Sequence, residues 1–248
     1  MEIVCKYSTE VDDKFINDFI NIQNIVFGSY SLGHFKHKFI DNIYGPSMLA
    51  VVYNDNDKPI AARALWRNDI GGMTCYQPGD TCVLKEARGN GVFSEMTMKA
   101  VNLLPKGSII YNFPNQNSFP GYMKLGWLER ASYHLVLLSS NKAYSKEHPT
   151  PIDEEYFNWW IKSVSGVHYI HRGGKYYLVK AGPRKFCYTI IGEVSEHLAK
   201  QLPKLHRPAL VFYKSRRVTF YNKRFATSHV VSKTTDIPYI PTWKIDAV

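Results

Sequence analysis

The sequence has no stretch near the roughly 20 consecutive apolar residues that a membrane-spanning helix needs. Its opening residues, Met1-Glu2-Ile3-Val4-Cys5-Lys6, hold no apolar segment of the kind that addresses a chain for secretion. Cysteine is scarce. The four, at positions 5, 75, 82 and 187, form no Cys-x-x-Cys pair, which excludes a disulfide-stapled scaffold and the common zinc spacings. His168-x-x-His171 has no third or fourth ligand at a recognisable distance along the chain, so no metal is expected. There is no Gly-Lys-Ser/Thr phosphate loop and no G-x-G-x-x-G fingerprint. Low-complexity tracts and strict repeats are also missing. What remains is a folded chain, 45% hydrophobic and 21% charged, with free thiols. The expectation is a cytoplasmic protein without membrane insertion.

Acidic residues are few in the C-terminal part. Residues 1–143 carry 14 Lys and Arg against 13 Asp and Glu, whereas residues 144–248 carry 17 against 8. Nearly all of the net charge of +10 therefore lies in the second part. Such a distribution favours an anionic partner: nucleic acid, an anionic surface, or a small molecule bearing phosphates.

The apolar pattern predicts alternating helices and strands. Phe15, Ile16, Phe19, Ile20, Ile22, Ile25 and Val26 recur at helical spacing behind Asp12 and Asp13. A short helix over Phe35–Ile43 ends at Gly45-Pro46. Met48–Tyr53 and Pro59–Trp66 read as a hairpin around Asn54-Asp55-Asn56-Asp57. A strand over Thr74–Leu84, a helix from Gly91 to about Leu104, a strand over Ser108–Phe113, a short helix around Asn117–Leu125 and a strand over Tyr133–Leu138 follow. Asn141–Pro151 reads as a polar connector. Beyond it the pattern predicts a helix over Glu154–Val164, strands near Lys175–Val179 and Phe186–Ile191, a helix near Ser195–Leu202, strands near Ala209–Tyr213 and Val218–Tyr221, and an irregular tail after Ser232. The order strand, strand, helix, strand occurs in both parts. The expected division is 1–143 and 144–248.

Chemistry concentrates in two stretches. In Thr81-Cys82-Val83-Leu84-Lys85-Glu86-Ala87-Arg88-Gly89-Asn90-Gly91-Val92-Phe93 a strand ends, a turn carries Arg88-Gly89-x-Gly91, and a helix begins. Unpaired amides at a helix start favour a phosphate, and glycines remove the Cβ atoms that would keep it away. An ordinary tight turn is the alternative. The second stretch is Phe113-Pro114-Asn115-Gln116-Asn117-Ser118-Phe119-Pro120-Gly121-Tyr122-Met123-Lys124-Leu125-Gly126-Trp127.

Together, and in this order, the two stretches resemble the GNAT superfamily of acyl-CoA-dependent N-acyltransferases. That family pairs an R/Q-x-x-G-x-G/A loop with a later N-x-x-A-x-x-x-Y-x-x-x-G-F segment. Arg88, Gly89 and Gly91 match the loop. Asn115, Ser118 (for the small residue), Tyr122, Gly126 and Trp127 (for Phe) match the segment. Phe93 departs from the Gly or Ala expected at the last loop position, and Pro120 falls inside the second helix. The resemblance covers about residues 1–138. Tyr76-Gln77-Pro78-x-Asp80-Thr81 and Phe113-Pro114-Asn115-x-Asn117-Ser118-x-Pro120-Gly121-Tyr122 narrow it to the subgroup found among bacterial surface-polysaccharide enzymes, some of which acylate nucleotide-linked amino sugars.

The resemblance implies a mixed α/β fold: a twisted, mostly antiparallel sheet flanked by helices. After it comes either a degenerate second GNAT-like half or an α+β extension, contributing to the acceptor site. Acyl-CoA would be the co-substrate, with no metal. Arg88, Gly89, Asn90, Gly91, Val92 and Phe93 would hold its pyrophosphate, completed by Asn115 and Ser118. The backbone around Cys82, Val83 and Leu84, Val83 above all, would polarise the thioester carbonyl. Tyr122 would be the general acid and Asp80 the base, with an ordered water chain as the alternative base. Gln77 stands near where some relatives carry a catalytic carboxylate. Cys82 reads as a buried strand residue. Trp66, Trp159 and Trp160 are stacking candidates, with core packing as the default. The expected acceptor is the primary amine of a nucleotide-linked (dTDP- or UDP-) amino sugar. A peptide, protein or other small amine is the alternative. The competing non-enzyme function is nucleic-acid binding through Arg216-Arg217 and Lys223-Arg224, although no recognised nucleic-acid motif is present.

Overall fold

Strand Met48–Tyr53 (β2) is apolar at every position and buried throughout, which a strand tolerates only when both faces of its sheet are covered. A computed structural model describes residues 1–138, 141–148, 150–182, 184–206, 208–216, 228–235, 237–241 and 243–244, and shows what covers it. On one side lies helix α1 (Asp13–Phe27). Asp12 caps it, its carboxylate accepting from the Phe15 amide at 2.8 Å, and Phe15, Phe19 and Ile22 form its buried stripe. On the other lies α3 (Val92–Asn102), whose Val92, Met96 and Ala100 recur every four residues. Met96 packs with Met48, Ala50 and Val52 in one core cluster.

The described chain divides into two compact units: Met1–Glu129 with Val230–Pro238, and Arg130–His229 with Tyr239–Val248. The sequence pattern put the division at 143. The contact division comes earlier because strand β6 (Leu128–Leu137) pairs within the second unit, and a segment far along the chain returns to the first.

In unit 1, β1 (Glu2–Tyr7), β2, β3 (Pro59–Arg67) and β4 (Cys75–Val83) are antiparallel neighbours in that order. β4 then runs parallel to β5 (Ile109–Asn112). β5 pairs antiparallel with β11 (Ser228–Ser232) through Val231↔Asn112 and Ser232↔Tyr111. Between β1 and β2 lie α1, α2 (Leu32–Phe35) and a π-helical turn, Lys36–Ile40, where the sequence predicts one helix over Phe35–Ile43. Helix α4 (Phe119–Lys124) starts two residues later than predicted. Pro120 thus sits in its first turn, where its missing N–H costs nothing.

Unit 2 repeats the topology. β7 (Val167–Arg172), β8 (Lys175–Ala181) and β9 (Cys187–Val194) are antiparallel. β9 is parallel to β10 (Leu210–Ser215), and β10 is antiparallel to β6. The strand order of β7 to β10 thus matches that of β2 to β5, with no counterpart of β1 among the described residues. The stretch read as a connector holds helix α5 (Asn141–Glu147), because Tyr144 packs on Tyr177, Val179 and Tyr213 in the unit 2 core. α6 (Glu154–Trp159) follows. α7 (Glu196–Ala199) is a single turn. The strand predicted over Val218–Tyr221 lies outside the described residues.

Val231 is fully buried in the unit 1 core, so the integrity of that core depends on residues near the far end of the chain. Val231→Ala removes two methyl groups and is expected to cost about 2 kcal/mol. Urea unfolding checks this; an unshifted transition would mean that β11 contributes nothing.

Candidate active site

The site is built around a defect in β4. Ala62 pairs with Cys82 but Ala64 pairs with Gly79, so β4 carries one extra residue against β3. Asp80 stands at this bulge with φ +45°, in the left-handed region that non-glycine residues rarely occupy. Its carbonyl accepts from Gln23 Nε2 on α1. Its carboxylate accepts from Tyr30 Oη at 2.8 Å and from the buried Lys38 Nζ at 3.1 Å, so the strained residue is tied on three sides. Burial, and then the Asp80 charge, push the Tyr30 phenol well above its ordinary range, keeping it a hydrogen-bond donor.

β4 parts from β5 before the bulge is reached. The two strands pair only at Cys75↔Ile109 and Tyr76↔Ile110. Leu84 N donates to Ile60 O, which commits that amide to β3. Alternate amides on a strand point to opposite sides, so the Val83 N–H is directed away from β3. Cys82 is buried, and burial pushes its thiol up to about 12. That suits a packed strand cysteine and not a nucleophile.

The Arg88–Phe93 turn follows directly. Gly89 and Gly91 adopt φ +83° and +76°, and nothing lies within 4 Å of a Cβ built on Gly89. Gly91 begins α3 with no side chain capping it, so the first amides of the helix stay open to a ligand. Arg88 is exposed, its Nε donating to Val83 O at 3.0 Å. The turn is thus a cradle with donors and open space at Gly89, which fits a pyrophosphate, although Glu95 Oε1 comes within 3.4 Å of a Cβ built on Gly91. Unit 2 has no counterpart among the described residues: β9 passes through Ser195, without a glycine turn, into the four-residue α7.

Phe93, the departure from the family pattern, turns into the core. A Cβ on Gly121 would stand 3.0 Å from Phe93 Cε1, so the glycine makes room for the ring. Phe93 also meets Tyr122 edge-on at 5.6 Å. Tyr122 is buried on α4, with Trp127 at 4.7 Å. Its hydroxyl accepts from Arg63 Nη2 at 2.6 Å, and the Asn112 side chain also hydrogen-bonds it. Burial raises this phenol, while Arg63 and Asn112 pull it down. Asn115 and Ser118 build the turn before α4: Asn115 Oδ1 accepts from the Asn117 and Ser118 amides, both at 3.0 Å.

Other sequence candidates are placed in structural roles. Gln77 is buried and accepts from Asn68 Nδ2 at 2.8 Å. Trp66, Trp159 and Trp160 are buried, which removes them as open stacking platforms. The His171 ring stacks on Tyr176 at 4.4 Å. Among the described residues no group of three or more His, Cys, Asp or Glu is arranged to hold a metal ion, and no helix is long and apolar enough to cross a membrane. Arg216 Nε donates to Tyr133 Oη at 3.1 Å, while Arg217, Lys223 and Arg224 lie outside the described residues. Sequence reasoning missed Arg63, Lys38, Tyr30 and Gln23, for which no motif provides a signal.

No protein-family model and no curated protein matches the sequence. Solved structures do match. A GCN5-related N-acetyltransferase from Kribbella flavida aligns over 93% of this chain and 71% of its own, at 10% identity and a TM-score of 0.51. A candidate acetyltransferase from Pyrococcus horikoshii aligns over 95% and 90%, at 11% identity and a TM-score of 0.54. The fold is the GNAT fold. In GNAT terms the bulged β4, its gap from β5 and the glycine turn stand together in unit 1. Unit 2 keeps the strand order, a bulge in β9 and the early end of the β9–β10 pairing, but not the glycine turn.

The Cys82 thiol, raised by burial, is mostly protonated below pH 10. Iodoacetamide at pH 8 is expected to leave Cys82 unmodified in the folded protein and to alkylate it after denaturation. Peptide mass spectrometry reads this, and rapid labelling of the native chain would contradict the burial.

Proposed function

We propose that this protein is an acyl-CoA-dependent N-acyltransferase that acylates the primary amine of a small anionic acceptor, with nucleotide-linked (dTDP- or UDP-) amino sugars as the leading class. The observation that carries the reading is the uncapped α3 start behind Gly89 and Gly91, following the part of β4 that no longer pairs with β5. Acyl-CoA would supply the activated acyl group. The amides of Arg88–Phe93 hold its pyrophosphate, and Asn115 and Ser118 support the same end of the site. The Val83 N–H, flanked by Cys82 and Leu84, donates to the carbonyl oxygen as charge develops there. Asp80 takes the proton that the amine loses; each carboxylate oxygen keeps a lone pair beyond its bonds to Tyr30 and Lys38. Tyr122 protonates the departing sulfur. The positive charge of residues 144–248 draws an anionic acceptor toward the protein.

Two measurements test this. Calorimetry is expected to show coenzyme A binding, weakened roughly tenfold by Gly89→Ala, since a Cβ there strains the left-handed backbone by about 1–2 kcal/mol. A folded sample that binds no coenzyme A even at millimolar concentration would end the proposal. Thiol release with a panel of nucleotide amino sugars, peptides and simple amines is then expected to favour the nucleotide sugars, with a KM that rises with salt. Salt-sensitive binding of oligonucleotides in a mobility-shift assay, with no acyl transfer to any amine, would favour a nucleic-acid function instead.

A further inference from the structure

Arg63 lies in the middle of β3 and is fully buried. A guanidinium keeps its proton in proteins, so this is a permanent charge withdrawn from water. Its partners are three hydroxyl oxygens and two ring faces. Nε donates to Thr81 Oγ1 at 3.1 Å, Nη1 to Thr97 Oγ1, and Nη2 to Tyr122 Oη at 2.6 Å. The guanidinium carbon lies 4.6 Å from the Phe93 ring centre and 5.5 Å from that of Tyr122. Among the described residues no carboxylate pairs with it.

The other buried cation of unit 1 is arranged differently, since Lys38 has Asp80. Burying a charge without a counter-ion is costly, and hydroxyls return only part of that cost. One of the three oxygens, however, belongs to a group that can itself become an anion. A phenol oxygen that accepts from a guanidinium must also direct its own proton elsewhere, because the guanidinium has no lone pair to receive it.

We infer that Arg63 is the charge partner of Tyr122 in its deprotonated form, allowing the phenol to give its proton to the departing sulfur and holding the phenolate that remains. The inference rests on the acyl-transfer reading. In the step, the Tyr122 O–H bond breaks and an S–H bond forms. The O–H electron pair stays on the phenol oxygen, and the thiolate becomes a neutral thiol. The proton lost by the acceptor amine, returned through solvent, restores the phenol. The ion pair that exists only after proton transfer explains why Arg63 has no resident counter-ion. Being fully buried, Arg63 acts through Tyr122 and is a positioning residue.

The test follows Tyr122 ionisation directly, in the full-length chain, by NMR of ring-labelled tyrosine assigned with Tyr122→Phe. Arg63→Met is expected to move Tyr122 ionisation up by more than one pH unit, and Arg63→Lys by less. In acyl transfer, Arg63→Met should lower kcat about 100-fold with little change in coenzyme A affinity. In the Tyr122→Phe background it should lower kcat no further. A purely structural Arg63 predicts the same loss in both backgrounds and unmoved ionisation, and either result in folded variants overturns the inference. If neither variant folds, the unaltered protein decides. At pH 11 Tyr122 must be ionised to a greater extent than Tyr53, whose hydroxyl donates to Asp18; equal or lesser ionisation overturns the pairing. Arg63-dependent ionisation without acyl transfer to any amine would support the pairing and count against the acyl-transfer reading.

Discussion

One extra residue in β4 sets the rest of unit 1. A bulge bends its strand and locally disrupts the ladder. Here β4 keeps its hydrogen bonds to β3 on both sides of the bulge and loses those to β5 beyond Tyr76↔Ile110. The loss leaves a strand amide at Val83 directed away from β3, just before the glycine turn. The conformation is not free. Asp80 sits at positive φ, and the surrounding structure must over-determine it. Gln23, Tyr30 and Lys38 do so, all from the α1–α2 region, so the first 40 residues fix the shape of the strand that the site uses.

Two buried cations flank that bulge with different consequences. The Lys38–Asp80 pair is locally neutral and is suited to hold geometry. Arg63 ties β3 to β4, α3 and α4 through Thr81, Thr97 and Tyr122 without a carboxylate, so its field acts on whatever charge appears nearby. In a low-dielectric interior that field is far stronger than at the surface.

The second unit shows how little of this belongs to the strand order alone. β9 carries a bulge of its own against β8, between Leu178 and Val179, and runs parallel to β10 as β4 does to β5. Yet it leads into a single-turn helix instead of a glycine turn and an 11-residue helix. Its core is closed by Tyr144 of α5 and by His148 just after it, their rings tilted against each other at 4.7 Å. A fold can be repeated without its site, because the site resides in loops and in a few buried side chains.

Local signals made much of this legible. The Asp12 cap and the Phe15, Phe19, Ile22 stripe mark α1, the Asn54–Asp57 turn marks the β2–β3 hairpin, and the strand–Gly89-x-Gly91–helix pattern marks the cradle. Each depends on residues within a few positions of one another, where spacing alone determines the geometry. Two misses are local, helix α5 in the stretch read as a connector and strand β7 of the β7–β8 hairpin; the others are non-local. β1 mixes Glu2 and Lys6 with apolar residues at the sheet edge, and β11 pairs with β5 across more than 100 residues of sequence. Arg63 reaches Tyr122 across 59 positions, and Lys38 reaches Asp80 across 42. The sequence by itself determined most of the element types, the glycine turn and the order of the two motifs, because backbone preference and hydrophobic period act locally. Only the tertiary structure decided which charges are buried, what each one faces, and which distant strand completes each sheet, because those contacts depend on chain reversals that no spacing encodes.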